Sequence, residues 1–390
     1  MSVNIIESSQ SNAKGKGSFW IPKIAIDILI ANEATALQIS AFLVLAKHTN
    51  EGGKFSTAGI TAIHKNTGVS HPVAQKAVNS LLEMESSSKT YERNMILYLP
   101  YDWEDLTDET LPQAAFERAE TRYVINDFNA KPEDKVWFSN DLVTGIGKFT
   151  QPLKKLKMCG DLAARILLLA YQHNDLEQIG GINPIFYHMD YVMKKISNVG
   201  GFNLWHGQAD GNFTYHALEI LNLQDWKEDK EINENELRML WSSFENLENA
   251  GFIYQIVSVL DRKYDDPEAQ VIYELDSKNK HGYKVDGEEG VGGEMAKLST
   301  RYGHPVTDSL GRFNGKYAAI VPVGEPHIVG IYRLRFRVSN TKNHGVSAAW
   351  SRIHQGQRDV KDWLNALLAN SKQNTKSDEI EKETEGVELF

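Results

Sequence analysis

The sequence predicts an α+β protein: two helical units in tandem, each closed by hydrophobic strands, then a smaller mixed α/β domain with a basic face. Three observations carry this expectation. Apolar residues recur at helical spacing over 35–84 and again over 142–249. A strand-like hydrophobic run follows each stretch, at 96–99 and at 252–260. Positive charge then gathers in 297–361, although the whole chain carries a formal net charge of −10.

The elements follow in order. Residues 1–17 read as a flexible leader, and the first unit spans 18–100. Leu37, Ile39, Phe42, Leu43, Leu45 and Ala46 form a dense apolar helix, broken by Asn50, Gly52 and Gly53. Ser56 or Thr57 is the expected cap of a short second helix with Ile60 and Ile63 inside. Thr67-Gly68-Val69-Ser70 is a tight turn in which Gly68 takes positive φ and Val69 fills the gap between helices. Ser70 is the expected N-cap of a third helix opened by His71 and Pro72. Ala74, Ala77, Val78, Leu81 and Leu82 then face the core, and His71, Val73, Gln75, Lys76 and Asn79 face out. A hairpin tip at 86–93 and a returning strand at 96–99 complete the unit.

This order resembles the winged helix-turn-helix family, a fold most often used to bind duplex DNA. The resemblance implies a recognition helix over 70–84 that enters a major groove. Gln75 and Asn79 would bond base edges, His71 and Lys76 would lie near phosphates, and His64, Lys65 and Ser70 complete the expected DNA-binding set. The family also includes protein-binding modules, and fold alone does not choose between them.

A second unit is expected over 136–276. Ser18-Phe19-Trp20-Ile21-Pro22 precedes the first helical stretch, and Val136-Trp137-Phe138-Ser139-Asn140 precedes the second. Each leads to a strongly apolar helix that ends near a histidine, His48 or His173. A helix over 234–249, a stop at Gly251 and strands at 252–260 and 271–275 would repeat the winged pattern. That helix holds Glu234, Glu236, Glu245 and Glu248 against Arg238, so it suits a dimer or intramolecular contact better than DNA. An aromatic-rich insertion at 183–223 lacks a counterpart in the first unit, and 183–250 is the expected protein-partner surface. Residues 101–135 read as an acidic connector and 277–293 as a flexible glycine-rich loop. No Gly-Lys-Ser/Thr follows those glycines, so a phosphate loop is not read.

The C-terminal domain is expected over 294–369, followed by an acidic disordered tail over 370–390. Between 297 and 361, eleven Lys and Arg stand against Asp308, Glu325 and Asp359. Within it, Tyr332-Arg333-Leu334-Arg335-Phe336-Arg337-Val338 alternates apolar and basic residues, the mark of a strand with one buried side. Arg333, Arg335 and Arg337 would then line the open side and meet a phosphate backbone. The competing reading pairs them with carboxylates between Asp225 and Asp286.

Composition points away from other classes. The chain of 390 residues exceeds a typical single domain. It lacks a run of ~18 apolar residues, so a membrane span is not expected. The lone Cys159 rules out an internal disulfide and fits a reducing, cytoplasmic setting. It reads as a structural thiol. The spacing required for zinc is not met, the Gly-x-Ser-x-Gly elbow is not present, neither cofactor nor metal is expected, and catalysis stays open without a motif to support it. The sequence therefore predicts a sequence-specific binder of double-stranded DNA acting as a homodimer. A transcriptional regulator leads, ahead of a plasmid or phage replication initiator, which the paired arrangement also resembles. The alternative class is an interaction scaffold in a mobile-element or phage-defence assembly.

Overall fold

Ser18-Phe19-Trp20-Ile21 and Val136-Trp137-Phe138-Ser139 run in opposite order of residue type, and the chain pairs them that way. The computed structural model describes residues 17–50, 52–85, 95–100, 102, 121–175, 178–184, 189–213, 234–264, 266–275, 291–306, 316–322, 324–337, 349 and 351–367. In it, β1 (Ser18–Pro22) lies antiparallel to Lys135–Ser139, with Ser18 opposite Ser139, Phe19 opposite Phe138, Trp20 opposite Trp137 and Ile21 opposite Val136. Alternation puts Phe19, Ile21, Val136 and Phe138 inside, where the two phenyl rings stack at 5.5 Å. The two openings of the internal repeat thus form one ribbon rather than two separate starts.

The described chain is mixed α and β and divides into two compact units. The first comprises 1–172, 232–252 and 336–339, and the second 173–231, 253–335 and 340–390. In the first, α1 (Lys23–Ala31) and α2 (Ala36–Lys47) follow β1. Thr35 and Gln38 close α2 with a reciprocal capping box. Then come β2 (Phe55–Ser56), α3 (Ile60–Thr67), α4 (His71–Leu82), β3 (Leu97–Tyr98), β4 (Tyr123–Ile125) and β5 (Lys135–Ser139). They continue into α5 (Asp141–Thr144), β6 (Gly145–Ile146), β7 (Phe149–Thr150), α6 (Pro152–Cys159), α7 (Asp161–Gln172) and α8 (Glu234–Asn249). Helix α2 is the hub: α3, α4, α6 and α7 all pack on it, and Ile39, Phe42, Leu43, Val44 and Leu45 are fully buried. That explains why its apolar residues surround the helix instead of forming one stripe.

In the second unit, β8 (Asn174–Asp175) pairs with β9 (Gly181–Ile182). The long hairpin β10 (Met189–Val199) and β11 (Phe202–Phe213) turns at Gly200-Gly201, both at positive φ, as a tight two-residue turn requires. Strands β12 (Ile253–Leu260) and β13 (Val271–Leu275) precede α9 (Val291–Arg301), β14 (Lys316–Val321), β15 (His327–Leu334) and a last helix, α10, over 351–367. The sheets run β10-β11-β14 and β13-β12-β15. Leu204 and Ile320 from one, Val259 and Ile328 from the other, Met295 of α9 and Leu364 of α10 share one core cluster.

Several expected boundaries move. The connector at 101–135 ends inside the first unit, because Tyr123–Ile125 is the middle strand of the sheet β2-β4-β3. The expected second unit divides: α8 belongs with the first body, while β12 and β13 belong with the second. The 183–223 insertion is no appendage, since β11 pairs with β14 along Asn203–Gln208. Nor is 294–369 a domain of its own, because β14 and β15 complete the two sheets of the second unit. The glycine loop ends before Val291, where α9 begins. The second-helix cap is Gly59 rather than Ser56 or Thr57: the Ser56 hydroxyl is drawn inward, donating to the Leu45 carbonyl at 2.7 Å. Residues 1–16, the hairpin tip at 86–93, 103–120, 214–233, 276–290 and 368–390 lie outside the described residues.

Candidate nucleic-acid interface

Helix α3 stops because Gly68 takes φ 70°, in the left-handed region, and its N–H donates back to the His64 carbonyl at 2.8 Å. Val69 is buried in the bend. Ser70 is extended and stands at the N-cap of α4, where its carbonyl accepts from Ala74 N–H at 2.9 Å. Its hydroxyl makes no capping bond, contrary to the expectation from residue type; Pro72 in the first turn has no N–H to offer. Ala74, Ala77, Val78 and Leu81 face inward.

The outward residues are those the spacing predicts. His64, Lys65, Ser70, His71, Gln75, Lys76 and Asn79 are all exposed, with Val73 among them. The His64 ring reaches the Val69 carbonyl through Nδ1, so that nitrogen carries the proton. The same ring stacks on His71, with centroids 4.5 Å apart and planes 25° apart. Gln75 Nε2 donates to Asn79 Oδ1 at 2.8 Å across one helical turn. The bond leaves the Gln75 side-chain oxygen as an acceptor and the Asn79 side-chain amide as a donor outside this pair.

The arginine row does not form. Strand β15 ends at Leu334, and Arg333 is only 1% exposed. Its Nε donates to the Gly180 carbonyl at 3.0 Å and its guanidinium pairs with Glu274. The reason is a second layer: residues 180–182 lie against β15 so closely that a Cβ on Gly181 would stand 2.8 Å from the Tyr332 carbonyl and 3.2 Å from Arg333 Cγ. Arg335 and Arg337 are half-buried beyond the strand end, on either side of buried Phe336. Arg335 falls in the second unit and Arg337 in the first. The carboxylate-pairing alternative is the one Arg333 follows.

One basic group near the turn was not expected. Lys154, on α6, runs its stem along Gly68: a Cβ on Gly68 would lie 3.3 Å from Lys154 Cδ and 3.6 Å from Cε. Its only sequence signal is that 142–160 holds Lys148, Lys154, Lys155 and Lys157 and lacks any Asp or Glu.

Three buried polar groups are held by backbone partners. Tyr171 donates its hydroxyl to the Phe336 carbonyl at 2.7 Å, and complete burial pushes its pKa up. Tyr273 bonds both the carbonyl and the N–H of Ile320 at 3.0 Å. Burial raises the Cys159 thiol to about 11, and its Sγ contacts the Lys155 carbonyl at 3.4 Å. Helix α8 buries Leu240, Phe244 and Leu247 and leaves Met239 half exposed. Among the described residues there is no cluster of three or more His, Cys, Asp or Glu able to hold a metal, and no helix long and apolar enough to cross a membrane. Comparison with models of known protein families, with curated proteins and with solved structures gives no match.

Proposed function

We propose that this chain is a sequence-specific DNA-binding protein, a transcriptional regulator, in which α3 and α4 act as the helix-turn-helix of a winged-helix module. The observation that carries the reading is the outer face of α4. Gln75 and Asn79 are paired side by side, flanked by His71 and Lys76, on a helix free of carboxylates. A helix of 12 residues with small Ala74 and Ala77 on its inner side is ~18 Å long, enough to lie in a major groove ~12 Å wide. In mechanism, the amides of Gln75 and Asn79 read a base edge, while Lys65, His71 and Lys76 hold phosphates and set the register. Binding as a homodimer would place two such helices on half-sites about one duplex turn apart.

The test is selection from a randomised duplex library with the purified chain at physiological salt. An enriched motif, above all a palindrome, supports the reading. Gln75→Ala with Asn79→Ala should then blur the motif, costing ~1–3 kcal/mol of discrimination while leaving most non-specific affinity. An initiator would select repeated sites in one orientation. A scaffold would select nothing and would retain a protein partner with little dependence on salt.

A further inference from the structure

We propose that α6 is a second phosphate-contacting element, gripping the backbone of the same duplex beside the site read by α4; this rests on the DNA-binding reading of α4. The first ground is charge. In a chain with 52 Asp and Glu, the segments 52–82 and 142–160 have none. They are far apart in sequence, and the fold brings them together: α6 packs on α3 and on α2 within the first unit. Helix α3 neighbours both α4 and α6, and the three carry exposed Lys65, Lys76 and Lys154 and half-buried Lys157 without a carboxylate of their own. The carboxylate that ends the second segment, Asp161, is engaged elsewhere, accepting from Ala36 N–H at the start of α2 at 2.7 Å. Glu83 and Glu85 stand beyond the far end of α4 from the Gly68 turn, ~18 Å along the helix.

The second ground is geometry. Lys154 is exposed, and its stem is held against the Gly68 turn, the point from which α4 departs. A stem already resting on the turn loses less entropy when its ammonium meets a phosphate. Lys157 follows three residues later, on the same side of α6. Lys155 points another way, its Nζ 4.0 Å from the Phe149 ring centroid. Lys148 sits exposed in the two-residue turn between β6 and β7, just before the helix. A base-reading helix flanked by lysines on a separate helix is the arrangement that fixes a protein's register on a duplex without adding sequence information.

The experiment is a salt titration of duplex binding by fluorescence anisotropy, using the full chain and a labelled mixed-sequence duplex of ~25 base pairs. Compared are the wild type, Lys154→Gln/Lys157→Gln, the charge-keeping Lys154→Arg/Lys157→Arg, and Lys76→Gln. Two lost phosphate contacts should flatten the slope of log affinity against log salt by ~1.8, so the wild type's loss between ~50 and ~200 mM salt shrinks about tenfold. The arginine pair should keep the wild-type slope, which separates lost charge from lost folding. If the glutamine pair keeps the full slope while Lys76→Gln reduces it, the α6 inference is overturned and the α4 reading stands. If the wild type shows no salt-dependent duplex binding, the α4 reading is overturned and the α6 inference with it.

Discussion

Replacing Arg333 by Met tests its buried pair with Glu274 in the second unit. The guanidinium satisfies two groups at once, the Glu274 carboxylate on β13 and the Gly180 carbonyl in the covering layer. Strands β13, with Glu274, and β15, with Arg333, flank β12, and the two side chains are 12% and 1% exposed. Met fills a similar apolar volume but leaves a carboxylate with little access to water. Breaking a buried pair from one side costs ~3–5 kcal/mol, and an orphaned carbonyl adds ~1 kcal/mol or more. Removing both charges, in Arg333→Met/Glu274→Leu, leaves no buried ion, so most of that loss should return and the double-mutant cycle should show strong coupling. The assay is urea unfolding of the full chain, followed by tryptophan fluorescence and far-UV circular dichroism. A loss below ~1 kcal/mol in the single variant, or a double variant no better than the single, would refute the account. The same variant bears on the DNA question. A buried guanidinium cannot meet phosphates, so Arg333→Met should leave the salt slope of duplex binding unchanged, and a fall of ~0.9 would place Arg333 on the surface instead.

Other predictions follow from single sites. Gly68→Ala forces a Cβ into positive φ and against the Lys154 stem; it should cost ~1 kcal/mol of stability by thermal denaturation, and a neutral result would mean the turn relaxes freely. Cys159, buried with its thiol raised to about 11, should react with a thiol reagent far more slowly at pH 8 than a free thiol does, recovering the normal rate in urea. His48 is held below its usual value of 6.5 mainly by burial, with its bond to the Val44 carbonyl opposing the shift. The folded chain therefore binds that proton less readily than the unfolded chain, and stability should fall as pH drops through 6.5. Melting of the wild type against His48→Gln at pH 7.5 and 5.5 checks this: a variant with the same acid sensitivity removes His48 as the cause.

Much of the first unit was legible because its signals are local. The 3.6-residue rhythm of Ala74, Ala77, Val78 and Leu81 needs only the helix itself. Gly68 takes positive φ because the turn demands it, and the outward set from His64 to Asn79 follows from the same rhythm. The arginine alternation over 333–337 failed for the opposite reason. Alternation states that a strand has two faces, but not that one is wet. Here the β8–β9 hairpin, with Gly180 in its turn and Gly181 on β9, covers the face that holds Arg333. The repeat was visible as two similar segments. Its meaning required noticing that SFWI and VWFS are reversed, which is what antiparallel pairing of like with like demands.

By itself the sequence determined the local elements and the acid-free stretches: which residues of α4 turn outward, where the chain bends at Gly68, and where Lys154 and its neighbours stand in the chain. Only the tertiary structure decided which distant segments become neighbours. It joined Asn203–Gln208 of the aromatic-rich stretch to β14, sent α8 and β12 into different units, buried Arg333 on Glu274, and laid Lys154 along Gly68. The physical reason is that backbone preference and amphipathic rhythm act over a few residues, whereas sheet pairing and the covering of a face depend on segments far along the chain.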